Sequence, residues 1–391
     1  MAPASADRFA ADNNAFALAI YEHLRQRPGN LLFSPFSMRG ALGMALAGAR
    51  GDTAAQMRHV LRIVSIDEPV HASVAPFVRG LNEAGSGDYE LAVANSLWGQ
   101  AGAPLEAGFL DVIMRHYGAG MNVVDFAGAA DDARAAINRW VEDATRQRIR
   151  ALIPVGSLDA DTRLVLVNAV YFKGTWVLQF ERALTRNELF HVESGKTVQA
   201  ALMHRRSEVW YAHAAGYQAV QLDYRGDNLC MLVFLPDKQD GLCDLEQLLS
   251  GRALRDTVSR MRPREVELFL PRFRLTWGTF DVRDELAALG MPLAFSPLQA
   301  DFSGINGRVP PHQDALFVSG VFHKAFVAVN EEGTEAAAAT AVLAPPMASP
   351  SHRAPIVPVF RADHPFLFAI SDRKSGAILF YGRIVDPTLE G

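Results

Sequence analysis

The chain has 391 residues, 49% of them hydrophobic and 21% charged, with a formal net charge of −5; that is an ordinary globular composition, long enough to bury a large core and, by length alone, to form two or three domains. The longest basic run is only His204-Arg205-Arg206, which reads as a solvated turn, so charge argues against a nucleic-acid binder. No run reaches membrane-spanning length, and the two cysteines, Cys230 and Cys243, lack CxxC spacing and cannot form a disulfide framework.

In chain order, Phe9, Phe16, Ile20 and Leu24 recur at helical spacing and predict a helix over 7–27. The segment Met1–Glu22 carries polar and acidic residues through its apolar part, so no signal peptide is expected. No Asn-x-Ser/Thr sequon occurs either. The expectation is therefore an intracellular protein, or a secreted form lacking its export signal. Ser34-Pro35 is a start signal, Ser as cap and Pro in the first turn, for a helix to about Gly48. Asp52 is expected to cap a further helix through Leu61. Helical patterns follow at 75–84, 106–117, 131–150, 242–261 and 280–289.

Strands are clearer in the second half. Residues 163–173 form a long apolar run rich in β-branched residues. Val266, Leu268 and Leu270 alternate with Glu265, Glu267 and Phe269. Residues 228–235, 315–330, 365–371 and 377–384 also read as strands. Strands and helices do not alternate strictly, which predicts an α+β class with large mixed or antiparallel sheets. No linker separates the halves, so residues 1–391 are expected to form a single domain. Cys230 sits in an apolar run and reads as a buried thiol.

Enzyme and metal motifs are missing from the sequence: there is no HExxH, clustered Cys/His, EF-hand loop, Walker A, GxGxxG or GxSxG. Gly85-Ser-Gly87 is too short to cradle a phosphate. A hydrolase with an unfamiliar triad stays open, because triads are spatial. No cofactor is expected.

One stretch carries more information. Residues 331–344 read Glu-Glu-Gly-Thr-Glu-Ala-Ala-Ala-Ala-Thr-Ala-Val-Leu-Ala and stop at Pro345-Pro346. By propensity, Glu335 followed by four alanines is helical. Yet the segment also suits entry into a sheet, since after Gly333 it holds only small or β-compatible residues apart from Glu335. Thr334, Ala336, Ala338, Thr340, Val342 and Ala344 would face one side of such a strand.

With its surroundings this stretch resembles the serpins. The resemblance runs from about Asn14 to Pro387. It is carried by Asn30-Leu-Leu-Phe-Ser-Pro-Phe-Ser37, by Ile137-Asn-Arg-Trp-Val-Glu142 with Thr145, by Leu164–Trp176, and by Phe360-Arg-Ala-Asp-His-Pro-Phe-Leu-Phe368. It implies a serpin-like fold, about eight or nine helices around three β-sheets, with an exposed reactive-centre loop at about 331–360. It implies no enzyme but a monomeric suicide-substrate inhibitor whose partner is a serine protease held as a covalent acyl complex. Neither nucleic acid nor membrane is an expected partner. The cleaved loop would enter the central sheet, with Glu331, Gly333, Thr334, Glu335, Ala336, Ala337, Ala338, Ala339 and Thr340 as its hinge. Trp176 resembles the aromatic beneath the entry point. Ser34, Ser37, Asn168 and His323 resemble a polar network where the central strands part.

The family's spacing from Glu331 places the cut at Met347-Ala348, with Leu343 and Arg353 as alternatives. Pro345 and Pro346 agree, since neither can donate to a ladder. A Met there suits elastase-, chymotrypsin- or subtilisin-like targets. The chain departs from the family at Arg361, where Gly is usual, and at Gln147-Arg148, where Gly-Lys is usual. Leu293 is expected to replace a Lys that pairs with the Glu at 331 in some relatives, so that ion pair should be lost. The alternative reading is a non-inhibitory carrier or chaperone of the same fold.

Overall fold

The computed structural model describes residues 3–63, 77, 80, 88–102, 104–192, 195–278, 281–334 and 357–390. In chain order the first half contains α1 (Pro3–Leu24), β1 (Leu31–Phe33), α2 (Pro35–Gly48), α3 (Gly51–Val60), β2 (Tyr89–Gln100), α4 (Ala107–Tyr117), β3 (Met121–Val124), α5 (Phe126–Ala144) and β4 (Leu164–Thr175). There follow β5 (Arg186–His191), β6 (Thr197–Ala214), β7 (Tyr217–Asp223), β8 (Leu229–Pro236), α6 (Leu242–Leu248), α7 (Gly251–Arg260), β9 (Arg262–Pro271), β10 (Phe273–Trp277), α8 (Arg283–Ala288) and α9 (Ser303–Asn306). The chain ends with β11 (Val318–Val329), β12 (Gly333–Thr334), β13 (Val359–Arg361), β14 (Phe366–Asp372) and β15 (Ile378–Ile384).

The strands form two hydrogen-bonded networks. One has six strands in the order β10-β11-β12-β4-β2-β3. The other has nine, β1-β15-β14-β8-β7-β6-β9-β13 with β5 beside β6. Three sheets were expected; two of them are continuous here because β6 is long enough to serve both. Thr197–Leu202 pair with β5, Leu202–Tyr211 with β9, and Trp210–Ala214 with β7.

Strand β4 shows why the central sheet forms. Leu164, Leu166, Val170 and Phe172 face the main core between the networks, with α1 and α2. Val165, Val167, Ala169 and Tyr171 face a second core under α5, with Trp98, Ile137, Val141, Phe322 and Phe326. Side chains alternate along a strand, and both faces are covered, so the run is apolar without interruption. The lid over the second core is fixed by Asn138 on α5. Its side chain accepts from the Ile153 N–H at 2.8 Å and donates to the Ile153 carbonyl at 3.0 Å.

Several boundaries differ from expectation. Arg50, not Asp52, occupies the cap position of α3, with no side-chain cap bond; Asp52 lies inside the first turn. Helix α5 begins five residues early, because the Asp125 carboxylate caps it through the Gly128 N–H. It ends before Arg146 and Gln147, which are held at φ of 50° and 64°. The pattern over 242–261 splits into α6 and α7, the second capped by Ser250. Of the helix expected over 75–84, only Phe77 and Gly80 are described, both helical. Strands β1, β2, β3, β5, β6, β7, β10 and β13 were not foreseen. Cys230 is buried, and burial pushes its thiol up. Among the described residues no helix is long and apolar enough to cross a membrane.

Asn138→Ala leaves the buried Ile153 N–H without a partner and its carbonyl with only the long bond from Arg134 at 3.4 Å, which costs about 1–3 kcal/mol. A urea midpoint within error of the parent would show that Asn138 does not anchor α5.

Candidate functional site: the seam between two central strands

Most of the central sheet is antiparallel, but β4 and β11 pair in parallel, from Val318↔Leu164 to Phe326↔Tyr171. Above that point they are separated. Strand β12 stands between them, with Thr334 opposite both Val329 and Gly174, and Gly333 opposite Thr175. The sheet is already split at its upper end by two residues of the segment singled out in the sequence.

Each of those residues is placed by a specific contact. A tight turn, Asn330–Gly333, reverses the chain from β11. The Asn330 Oδ1 accepts from the N–H groups of Glu332 and Gly333 at 3.0 and 3.2 Å. Gly333 adopts φ 153°, and a Cβ there would lie 2.0 Å from the Gly174 carbonyl oxygen; only glycine fits. Thr334 is fully buried, and its hydroxyl lies 2.7 Å from that of Tyr224.

Trp176 lies beneath the turn. Its indole N–H donates to the Asn330 carbonyl at 3.0 Å, its backbone N–H donates to the Glu332 carbonyl at 2.9 Å, and its ring stacks on Tyr224 at 4.4 Å. Glu331 is buried and ion-paired with Arg272, whose Nε lies 2.7 and 2.8 Å from the two carboxylate oxygens. Thr185 also donates to this carboxylate. Burial pushes the Glu331 carboxyl up, but the bonds from Arg272 and Thr185 outweigh it and hold the group below its ordinary value. This corrects the expected loss of the ion pair. Leu293 is not the relevant position; it lies in a turn whose N–H bonds the Gln56 side chain. Arg272 stands between β9 and β10 and delivers its guanidinium to Glu331.

A second polar group lies lower on the seam. Asn95, Asn168 and His323 stand in register across β2, β4 and β11. Burial pushes the His323 imidazole down to about 3, so it is neutral. Its Nε2 accepts from the Ser34 N–H at 3.2 Å. The proton therefore sits on Nδ1, which donates to the Asn168 Oδ1. The Asn168 amide in turn donates to the Ser37 Oγ and the Asn95 Oδ1. The Ser37 hydroxyl donates to the Asn95 Oδ1 at 3.0 Å, and the Asn95 amide donates to the Ser37 carbonyl at 3.2 Å. Ser34 also caps α2 through the Ser37 N–H.

The structure thus brings Ser34, Ser37, Asn168 and His323 into one network, and Glu331, Gly333, Thr334 and Trp176 into another. Sequence reading missed Asn95, Arg272, Thr185 and Tyr224. Asn95 was the recoverable one, a lone amide in a mostly apolar stretch. Glu335, Ala336, Ala337, Ala338, Ala339, Thr340, Met347 and Ala348 lie outside the described residues, as do Leu343 and Arg353. Among the described residues no group of three or more His, Cys, Asp or Glu could hold a metal.

The neutral His323 sets a pH dependence. Below its ordinary value of 6.5 the unfolded chain takes up a proton that the native ring refuses until about pH 3. Stability therefore falls on acidification across that window, by up to about 1.4 kcal/mol per pH unit from this group. Urea unfolding between pH 6.5 and 3.5 measures it. A His323→Asn variant should show a shallower slope; identical slopes would mean that His323 is not held neutral.

Comparison with known proteins agrees with this architecture. A family model described as Serpin (serine protease inhibitor) matches residues 11–387. An uncharacterized serpin-like protein of Thermococcus kodakarensis is 38% identical over 96% of this chain and 84% of its own length. The human leukocyte elastase inhibitor is 36% identical over 97% of this chain and 100% of its own. Among solved structures, Arabidopsis AtSerpin1 in its native stressed conformation aligns with a TM-score of 0.85 at 29% identity, covering 98% of this chain and 99% of that one. With its split central sheet and a family match spanning almost its whole length, the chain belongs to the serpin family.

Proposed function

We propose that this serpin inhibits serine proteases by inserting its cleaved loop into the seam between β4 and β11. The observation that carries the reading is the register of β12. Thr334 faces Gly174 on β4 and Val329 on β11, antiparallel to both. Each further residue steps one position down both neighbours. Glu335 would then face Lys173, Thr340 would fall between Asn168 and His323, and Ala344 would reach Leu164, the first residue of β4. Pro345 and Pro346, which cannot donate, come just after the ladder ends. A hydroxyl arriving between Asn168 and His323 can replace the bond those side chains lose.

The even-numbered residues would continue the face on which Thr334 meets Tyr224, and all are small or apolar. The ten newly inserted residues, 335–344, span roughly 33 Å. At ~0.5–1.5 kcal/mol net per hydrogen bond they supply on the order of 10 kcal/mol, comparable to the stability of a domain. A protease attached through its acyl bond would be carried down the sheet and deformed. The cut is assigned to Met347-Ala348, with elastase-, chymotrypsin- or subtilisin-like enzymes as targets; one relative is itself named for elastase inhibition.

A carrier role is the second reading, favoured by one observation. A cavity of about 380 Å³ is lined by Trp210, Leu232, Leu254, Val258 and Ile378 together with Ser371, whose buried hydroxyl has no hydrogen-bond partner. Binding of an apolar dye with clean cleavage and no protease complex would favour it.

Incubation with a protease panel should give an SDS-stable complex and release a C-terminal peptide beginning at Ala348. Mass spectrometry reads the fragment, and another N-terminus would reject the assigned bond. Thr334→Arg would force a charge against Tyr224 and should turn the inhibitor into a substrate, cleaved without complex. Trapping by that variant at the parent stoichiometry would refute insertion.

A further inference from the structure

The uppermost direct pair between β4 and β11, above which the two strands separate, is Tyr171–Phe326. Their rings lie on the outer face of the sheet and stack across the seam, with centroids 5.8 Å apart and planes 29° apart. Cations flank both rings. The Arg148 guanidinium lies 5.5 Å from the Tyr171 centroid, and that of Arg274 lies 5.1 Å from the Phe326 centroid. Below this row, the Lys324 ammonium on β11 donates to the Arg150 carbonyl at 2.9 Å. The connection leaving α5 therefore touches β4 through Arg148 and β11 through Arg150, straddling the seam.

That connection is held in an unfavourable shape. Arg146, Gln147 and Ala151 adopt φ of 50°, 64° and 48°, a region that non-glycine residues rarely occupy. Local sequence does not favour it; contacts to the seam can hold it there. Thr145 adds a brace, accepting from the Ile149 N–H at 3.1 Å and donating to the Val141 carbonyl at 2.7 Å.

We propose that Arg148, Tyr171, Phe326 and Arg274, with the Lys324–Arg150 bond beneath them, form a clasp that sets how fast a strand enters between β4 and β11. The proposal rests on the insertion reading above. Continuing the register of β12, the third new residue, Ala337, must pass between Tyr171 and Phe326. Breaking this stack is then the first side-chain separation that insertion requires, and lateral movement of β11 must next break the bond from Lys324 to Arg150. Clasp strength would partition the acyl-enzyme between trapping and release, because slow entry gives the protease time to finish hydrolysis.

The test uses the intact full-length protein and a fluorescein-labelled peptide with the sequence of residues 334–344, its annealing followed by anisotropy. The parent protein should anneal slowly. Phe326→Leu, which keeps apolar volume but removes the ring, should anneal about tenfold faster, and Arg148→Gln and Arg274→Gln each about threefold faster. Both arginines are exposed, so these two variants remain informative if Phe326→Leu folds poorly. Phe326→Tyr keeps the ring and should stay within about twofold of the parent. The faster variants should also trap protease with a stoichiometry closer to one. Annealing at the parent rate by Phe326→Leu and by both glutamine variants would overturn the clasp while leaving insertion intact. No annealing to the parent protein or any variant would overturn insertion, and the clasp with it.

Discussion

The whole arrangement depends on a competition for one pair of strand edges. Strands β4 and β11 bond to each other in parallel below Tyr171 and Phe326, and to β12 in antiparallel fashion above. Their outer neighbours β2 and β10 are antiparallel to them. Parallel pairing is slightly weaker per residue. Replacing one parallel ladder by two antiparallel ones therefore strengthens the sheet wherever a further strand is available. In the proposed mechanism the segment that follows Thr334 supplies such a strand.

A largely buried polar row at this seam makes physical sense in the same terms. Asn168 and His323 are fully buried and add little stability over well-packed apolar residues, since buried polar groups gain little net energy even when fully bonded. What they provide is exchangeability. An apolar pair offers no partner to a newcomer, whereas a neutral imidazole and an amide can re-pair with an arriving hydroxyl, and Thr340 would supply one. The row is also tied to α2, since the Ser34 N–H bonds His323 while the Ser34 hydroxyl caps the helix. Opening the seam is therefore felt by a helix in the main core.

Much of this was legible in the sequence where a single segment determines its own structure. Ser34-Pro35 fixed the start of α2, and the apolar run at 163–173 matches β4 within two residues. The missed strands are those whose identity comes from neighbours. Strand β2 carries Ala92, Ala94, Asn95 and Ser96, weak strand formers; it is a strand because β4 pairs along eleven of its residues. Arg272 was missed for a similar reason. Nothing in its local sequence marks it as the partner of Glu331, 59 residues away; the junction of β9 and β10 brings it there. The placing of that partner at Leu293 failed because it rested on an assumed alignment and not on approach in space.

In the proposed mechanism the resting arrangement is a stalled intermediate. At the top, β12 is committed. Gly333 is threaded against Gly174 where no side chain fits, Thr334 is bonded to Tyr224, and Glu331 is ion-paired with Arg272. Just below, Tyr171 and Phe326 remain stacked. A segment anchored above and blocked below gains by advancing but must first separate contacts that are already made. On that mechanism such a state would persist because of a barrier and not because it is the deepest minimum. Contacts broken on the way to that barrier set the rate of advance, and contacts formed beyond it set only the final stability. In the proposed mechanism the upper anchors and the small residues of 336–344 therefore govern how tightly the inserted loop is held, and the seam alone governs whether insertion outruns the protease.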